Sequence, residues 1–183
     1  MKQVSSFVGA ALLILFVFLL ELEKKEADQK RRVAEVVQPS TFFMVDHRQS
    51  LRSLIRAGRY NFFYSTDEKV LSGFQNSYTA NLEFKPKLFK FPRVMVLDSV
   101  VKEMESEGFR PAKVEELLVY GSTVIDDEKR KYLIVALGTF FRDGIMPGDA
   151  FPTVQALGTR RYFVLVNSQN TYHPDAFFLG VRK

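Results

Sequence analysis

The first hydrophobic feature of the chain is an apolar run without charged residues from Phe7 to Leu20. With the uncharged residues that precede it from Gln3, the run is close to the roughly 17–25 residues that a membrane-spanning helix needs. A soluble helix this apolar on every side is hard to place at an exposed terminus. The pattern predicts a transmembrane anchor over residues 1–22. A cleaved signal peptide and a buried helix are the alternatives, but the acidic residues after Leu20 do not form a typical cleavage site.

A charged stretch follows the apolar run. It contains neither Gly nor Pro up to Val37, and Pro39 then ends any helix, so residues 23–48 are predicted to form a helical stalk and linker. Five basic residues lie shortly after the apolar run, whereas only Lys2 and the amino terminus lie before it. The positive-inside rule would keep the following domain in the cytoplasm. Acidic residues interrupt the basic cluster, so the sequence predicts a single-pass membrane protein and leaves the side of the domain open.

Residues 49–183 contain short segments with helical or strand periodicity. Helical spacing of apolar residues predicts three short helices, over 50–57, 98–107 and 113–120. The predicted caps are Ser50 and Gly58 for the first helix, Asp98 or Ser99 and Gly108 for the second, and Gly121 for the third. Extended runs predict strands over 59–64, 79–91, 132–137, 160–167 and 176–182.

Helices precede most strands in this order, without βαβ alternation, so the pattern favours an α+β fold over a doubly wound sheet. Pro86 restricts its strand to a sheet edge or a bulge, because proline cannot donate to a central ladder. The segments 142–152 and 167–175 are rich in Gly, Pro or polar residues and are predicted to be loops.

Composition narrows the chemistry. Eighteen Phe residues indicate a core built on phenylalanine, and the absence of Cys excludes disulfides, thiolate zinc sites and cysteine nucleophiles. The net charge of +5 is modest and the basic residues are interleaved with acids, so no nucleic-acid partner is expected.

The sequence offers little catalytic potential. His47 and His173 are the two histidines, and no zinc-protease, phosphate-loop or dinucleotide motif is present. The acidic turn at 126–128 lacks an alternating ligand pattern. Glu115 and Glu116 lie on an amphipathic helix and are predicted to bond a nearby backbone or arginine, with an acid/base dyad as the alternative. We therefore expect no catalytic residue, no metal and no cofactor; a hydrolase would need a histidine beside a serine or a carboxylate.

The C-terminal part is richest in side chains suited to recognition. Tyrosine gives contact area at low entropic cost, and Asn, Ser and Arg give adaptable hydrogen bonds. An ordinary polar loop is the alternative interpretation. The predicted ligand-binding residues are Arg142, Arg160, Tyr162, Asn167, Gln169, Asn170, Tyr172 and His173.

Three short motifs carry a family resemblance that covers roughly 51–183. The segment 109–118, with Arg110-Pro111-Ala112 followed by Glu115-Glu116-Leu117-Leu118, resembles the RPAT-x-EELL segment of small bacterial proteins of candidate phyla. The segment 134–139 is similar to their IVALGS strand, and 178–183 to their terminal FLAVRK. The same pattern is more distantly similar to C-type-lectin-like domains of the formylglycine-generating-enzyme group. The resemblance implies such a domain over 49–183, with two short helices and a small, mostly antiparallel sheet.

The chain departs from that pattern in two respects. Ala112 and Lys113 stand where the family has a helix-capping Thr, which predicts a loss of about 1 kcal/mol of capping. The family's cysteine-based oxidation and calcium-dependent sugar binding do not carry over, because their motifs are missing. The expected function is a membrane-anchored, non-catalytic domain that binds a protein or glycan through its C-terminal loops. The alternative is a structural or accessory component of a cell-envelope assembly, which exposed phenylalanines at 140 and 141 would favour.

Overall fold

The computed structural model describes residues 42–46, 48–62, 68–74, 81–124, 132–142, 148–157, 160–167, 171–172 and 175–183. The chain divides into two compact units, and all of these residues belong to the second, Pro39–Lys183. The predicted anchor and most of the predicted stalk lie outside the described ranges. Within those ranges, no helix combines the length and apolarity needed to cross a membrane.

The described residues form four helices and eleven strands. The helices are α1 (Leu51–Ala57), α2 (Glu68–Gly73), α3 (Leu97–Ser106) and α4 (Val114–Val124). The strands are β1 (Phe43–Asp46), β2 (Tyr60–Phe62), β3 (Asn81–Phe84), β4 (Pro86–Lys90), β5 (Met95–Val96), β6 (Phe109–Pro111), β7 (Tyr132–Val135), β8 (Ala150–Leu157), β9 (Arg160–Asn167), β10 (Thr171–Tyr172) and β11 (Ala176–Arg182).

Seven strands form the main sheet, in the order β2-β9-β8-β7-β11-β4, with β6 also paired to β11. The β2–β9 and β7–β11 pairs are parallel, and the other pairs of this sheet are antiparallel. Two further two-stranded sheets pair β1 with β3 and β5 with β10. The predicted α+β class is confirmed. The expected two helices and small sheet are wrong in scale, since the described domain has four helices and a mixed seven-stranded sheet.

Helices cover the two faces of this sheet unequally. Val100 and Met104 of α3 pack with Val135 and Phe178 in one buried cluster. Helix α4 lies on the opposite face, where the hydroxyl of Tyr60 donates to its Leu118 carbonyl at 2.8 Å. Nine phenylalanines among the described residues are buried, which confirms the Phe-based core: Phe43, Phe74, Phe84, Phe89, Phe141, Phe151, Phe163, Phe177 and Phe178.

A buried ion pair joins β6 to the start of α4. The guanidinium of Arg110 donates to both carboxylate oxygens of Glu116, at 3.0 and 2.6 Å. Glu116 also accepts from the backbone N–H of Lys113 at 2.8 Å. Its side chain is 1% exposed, against 26% for Arg110. The prediction that Glu116 bonds an arginine and the backbone is confirmed.

The three motifs of the resemblance meet at this ion pair. Ala112 donates its N–H to the Leu179 carbonyl at 2.9 Å and accepts from the Gly138 N–H at 2.8 Å. A Cβ on Gly138 would lie 2.7 Å from the carbonyl oxygens of Pro111 and Ala112, so only glycine fits there. Together with Arg110 and Glu116, these contacts form what we term the Arg110 junction, which ties β6, α4, β11 and the segment after β7 to one another.

The start of α4 is capped by one residue of the helix itself and by one residue of another segment. The Thr139 hydroxyl accepts from the Val114 N–H at 3.3 Å, and Glu116 supplies the other contact to Lys113. Thr139 follows β7 in sequence and reaches α4 only because Gly138 packs against Ala112. A threonine from another segment thus supplies one of the contacts that the missing family Thr would have made, and the predicted loss of capping free energy stays a prediction.

Other differences from the sequence prediction concern element ends. The Ser50 cap of α1 is confirmed by the bond from the Ser53 N–H to Ser50 Oγ at 3.2 Å, but the left-handed residue after the helix is Arg59, not Gly58. Helix α3 begins at Leu97 without a side-chain cap, so Asp98 and Ser99 do not cap it. Helix α4 continues through Gly121 to Val124, so Gly121 does not end it, and Gly121 is buried.

Three strands occupy segments predicted to be loop or linker. β8 begins at Ala150 and contains Pro152, whose carbonyl accepts from Ala136 just beyond the end of β7. β10 lies within the predicted loop at 167–175. β1 lies within the predicted linker and buries Phe43 and Val45, so the domain begins before residue 49. The edge position predicted for Pro86 is confirmed, since β4 ends the strand order.

Substituting Glu116 by Gln should lower the free energy of unfolding by about 2 kcal/mol, because it removes the charge that Arg110 binds in a largely buried site. Denaturant unfolding monitored by circular dichroism measures this. The matched control is Glu105→Gln, whose pair with Lys183 is half exposed on both sides and should cost no more than about 0.5 kcal/mol. Equal losses in the two variants would contradict the role of the Arg110 junction.

Candidate binding surface

One row of side chains crosses the main sheet from an exposed end to a half-buried end. Asn61 of β2 pairs with Tyr162 of β9, Tyr162 with Gln155 of β8, and Gln155 with Leu133 of β7. Partners in register point to the same face of a sheet, so these side chains share a face. Leu133 packs on the α3 cluster, which identifies this face as the one that α3 partly covers.

Exposure increases along the row away from α3. Leu133, Gln155 and Tyr162 are half-buried and Asn61 is exposed. The neighbouring pair on the same face, Arg160 and Leu157, is also exposed, with Leu157 at 41%. We term the uncovered part of this face the open sheet face; its members are Asn61, Gln155, Leu157, Arg160, Tyr162 and Val164.

The open sheet face combines an aromatic ring, two amides and a guanidinium with apolar neighbours. Asn61 donates its amide to the Arg161 carbonyl at 3.2 Å, which fixes the side chain against β9. Arg160 makes no ion pair within the described part of the chain. All six residues lie on strands, so their positions are set by backbone hydrogen bonds before a ligand arrives. Such a surface is suited to recognition and contains no nucleophile beside a base.

The structure brings together only part of the predicted ligand-binding set. Arg160 and Tyr162 lie together at the β8–β9 turn. Asn167 pairs with Ala150 at the other end of the same ladder, roughly 23 Å away at the usual rise of a strand, and alternation places it on the opposite face. Arg142 is near that far end and its Nη2 is 2.5 Å from the Asp149 carboxylate.

Of the remaining predicted residues, the structure describes only the backbone of one. The backbone of Tyr172 belongs to β10 and pairs with Met95 of β5. Gln169, Asn170 and His173 lie outside the described residues, as do His47 and the acidic turn at 126–128. In the described ranges no group of three or more His, Asp or Glu side chains is arranged to hold a metal ion.

The two glutamates of α4 have different surroundings. Glu116 is committed to Arg110 and to the backbone of α4, as described above. Glu115 is 2% exposed, and its Oε2 has no hydrogen-bond partner in the part of the chain that the structure describes.

Sequence reasoning missed Asn61, Gln155 and Leu157. Each is ordinary in its local sequence and becomes a candidate only through the register of β2, β9 and β8. The parallel β2–β9 pair joins residues that are one hundred positions apart, such as Asn61 and Arg161, and no local pattern identifies it. Period-two alternation within β9 could have placed Arg160, Tyr162 and Val164 on one face.

Tyr60 holds β2, and with it Asn61, against the body of the domain. Its ring is buried and its hydroxyl bonds the Leu118 carbonyl, as described above. Desolvation raises the pKa of the Tyr60 phenol far above its ordinary value, and nearby Arg161 opposes this shift only in part. Tyr60 therefore stays neutral and serves as a structural anchor for the open sheet face.

Comparison with known proteins found no match for the chain among protein-family models, curated proteins or solved structures.

Replacing Tyr60 by Phe should lower the free energy of unfolding at neutral pH by about 1 kcal/mol, because the bond to Leu118 is lost. The raised pKa makes the stability contribution of the phenol complete below the unfolded pKa of about 10 and progressively lost above it. The difference between the two proteins should therefore narrow as the pH rises beyond about 10 and then reverse. Urea unfolding at a series of pH values measures this, and a difference that stays constant would contradict it.

Proposed function

We propose that the chain is a membrane-anchored, non-catalytic ligand-binding domain that recognises a protein or glycan through the open sheet face and the adjoining C-terminal loops. The observation that carries the proposal is the row formed by Asn61, Tyr162 and Gln155 across three strands. These side chains are polar or aromatic, partly exposed and held in register, whereas α3 buries the continuation of the same row. We propose the part of this face that α3 does not cover as the surface for a partner.

Physical chemistry supports recognition at this surface. A tyrosine loses little conformational entropy on binding, and amides can donate and accept, so they fit either backbone groups of a protein or hydroxyls of a sugar. Leu157 and Val164 contribute apolar area beside them. In this proposal the surface belongs to the domain of a single-pass membrane protein. The proposal does not specify on which side of the membrane the domain lies.

We also propose that the α+β domain has a C-type-lectin-like arrangement. The resemblance implies a closing terminal strand, and β11 has that position: it pairs with β7 on one edge and with β4 on the other. Gly180 pairs with both Lys87 and Pro111, so β6 lies on the same edge of β11 as β7. This central position supports the lectin-like interpretation.

A second candidate is a structural component of an envelope assembly, favoured by exposed large apolar side chains. Phe42, Met44 and Phe140 are 58%, 63% and 51% exposed. Phe141, however, is buried, with its ring centroid 5.8 Å from that of Phe74, so only one of the two phenylalanines expected on the surface is there. The open sheet face combines more recognition chemistry, and we favour binding.

Replacing Gln155, Arg160 and Tyr162 together by Ala in the full chain should abolish specific capture of material from native lysate while shifting the melting temperature by only a few degrees. The physical reason is that Arg160 is exposed and Gln155 and Tyr162 are only half-buried, so their truncation leaves no cavity in the core. Mass spectrometry and a glycan array compare the captured material.

The matched control replaces Ser99, Lys102 and Glu103, three exposed residues of α3, by Ala. The control should capture the same material as the unmodified chain. Identical capture by the two triple variants would remove the assignment of the open sheet face.

A further inference from the structure

Two segments of the domain carry arginine without any acidic residue. Residues 48–62 contain four arginines and residues 150–167 contain two, with no Asp or Glu in either segment. Residues 84–97 also contain four basic residues and no acid, but three of them are lysines and Lys87 pairs with Glu107. A local surplus of one charge sign, unlike the modest net charge of the whole protein, indicates a surface for an anionic partner.

The fold brings the two segments together at one corner of the sheet. Tyr60 pairs in parallel register with Arg161, so the start of β2, with the turn residue Arg59 before it, lies beside the start of β9 at Arg160. Arg161 Nη1 donates to the Gly58 carbonyl at 3.2 Å, and the Arg59 N–H donates to the Arg56 carbonyl at 3.1 Å. We term Arg56, Arg59, Arg160 and Arg161 the arginine corner.

Three of these charges have no counter-charge in the described structure. Arg56, Arg59 and Arg160 are exposed and form no ion pair with any residue of the described ranges. Arg48 differs, because it hydrogen-bonds the Asp46 carboxylate and thereby lowers the pKa of that carboxyl. Arg56, Arg59 and Arg160 therefore give this corner exposed positive charge that no carboxylate of the described residues neutralises.

Arg59 provides an independent indication that the corner has a role. Its φ of 53° lies in the left-handed region, and it is the one non-glycine residue in the described ranges with a positive φ. Glycine is the residue that this conformation favours, because a Cβ strains it. Backbone strain of this kind is associated with functional positions, and here it is retained together with a guanidinium.

We propose that the arginine corner seats the domain on the anionic phospholipid headgroups of the membrane that carries its anchor. Guanidinium groups bind phosphate oxygens with two parallel hydrogen bonds, which an ammonium cannot do. Basic residues near a membrane surface are attracted by anionic lipid, and several of them act together. The arginines of the corner lie at the end of α1 and at the edge of the sheet. Their separation allows them to contact several headgroups at once.

The position of the corner favours a membrane over a soluble acidic protein. The chain enters the domain through β1, where the ring of Phe43 is 5.5 Å from that of Tyr120 on α4. Tyr60, next to Arg59, bonds the same helix. The chain entrance, Tyr60 and Arg161 lie on the face of the sheet that carries α4, and Arg160 lies at the same edge on the opposite face. Residues 21–41 link the chain entrance to the predicted anchor. Tethering gives headgroups a high effective concentration there, so the inference rests on the anchor of the proposed function.

The test places a fluorescent donor at each face of the domain in turn. The chain has no Cys, so Ser53→Cys on exposed α1 and Ser99→Cys on exposed α3 each create a single labelling position. The full chain is incorporated into nanodiscs that contain an acceptor-labelled lipid, with phosphatidylcholine alone or with added phosphatidylglycerol. Energy transfer from position 53 should be at least about twofold greater in anionic discs and should fall at high salt. Transfer from position 99 should not change.

Variants then separate the corner from general charge. Arg59→Gly should raise the melting temperature by relieving the strained φ, yet reduce the transfer from position 53 to the level of neutral discs. Arg56→Gln with Arg160→Gln should reduce it likewise. Arg182→Gln, which removes an equal charge from an exposed residue at the end of β11, should leave it unchanged.

Equal transfer from position 53 in neutral and anionic discs would overturn the proposal, and so would Arg59→Gly behaving like the unmodified chain. Displacement by polyglutamate in neutral discs, without any response to phosphatidylglycerol, would also overturn it and assign the corner to an acidic protein. Failure to incorporate into discs tests the anchor separately. In that case co-flotation with liposomes of the same two compositions tests the corner, with the same order of variants expected.

Discussion

The buried ion pair between Arg110 and Glu116 is the interaction on which the arrangement of this domain depends. A carboxylate that is 1% exposed needs strong compensation, which Arg110 and the Lys113 N–H supply together. The same few residues direct β6 onto β11 and start α4. The helix then provides the surface on which β1, α1 and Tyr60 pack. These contacts determine where the open sheet face and the arginine corner lie.

The local elements were predictable wherever one segment contains the whole cause. α1 has its own serine cap and apolar stripe, and β7, β9 and β11 are apolar or alternating runs. Glu116 could be assigned a structural partner because Arg110 lies only six residues away. The prediction of local elements failed where the residues that determine an element lie in another segment of the chain. Thr139 caps a helix that begins twenty-five residues before it, and β8 accommodates Pro152 only because β7 has ended there.

The candidate binding surface shows the same division between local and non-local causes. Arg160 and Tyr162 were identified from composition, and they do lie on one exposed face. Asn167 and Arg142 were grouped with them by sequence proximity, but an eight-residue strand separates the two ends of that ladder. Asn61 entered the surface through a parallel pairing that the sequence does not indicate. Composition identifies types of residue suited to recognition, whereas strand register decides which of them can act on one partner.

The central position of β11 has a consequence for biosynthesis. This strand pairs with β4, β6 and β7, all of which precede it in the chain. During translation these partners emerge from the ribosome with their edges unsatisfied, and the main sheet cannot close until β11 has also emerged. Pairings this distant in sequence form slowly, since a long loop must close first. The nascent domain therefore exposes apolar strand edges until late in its synthesis. These exposed edges are the surface that a chaperone would bind to prevent aggregation.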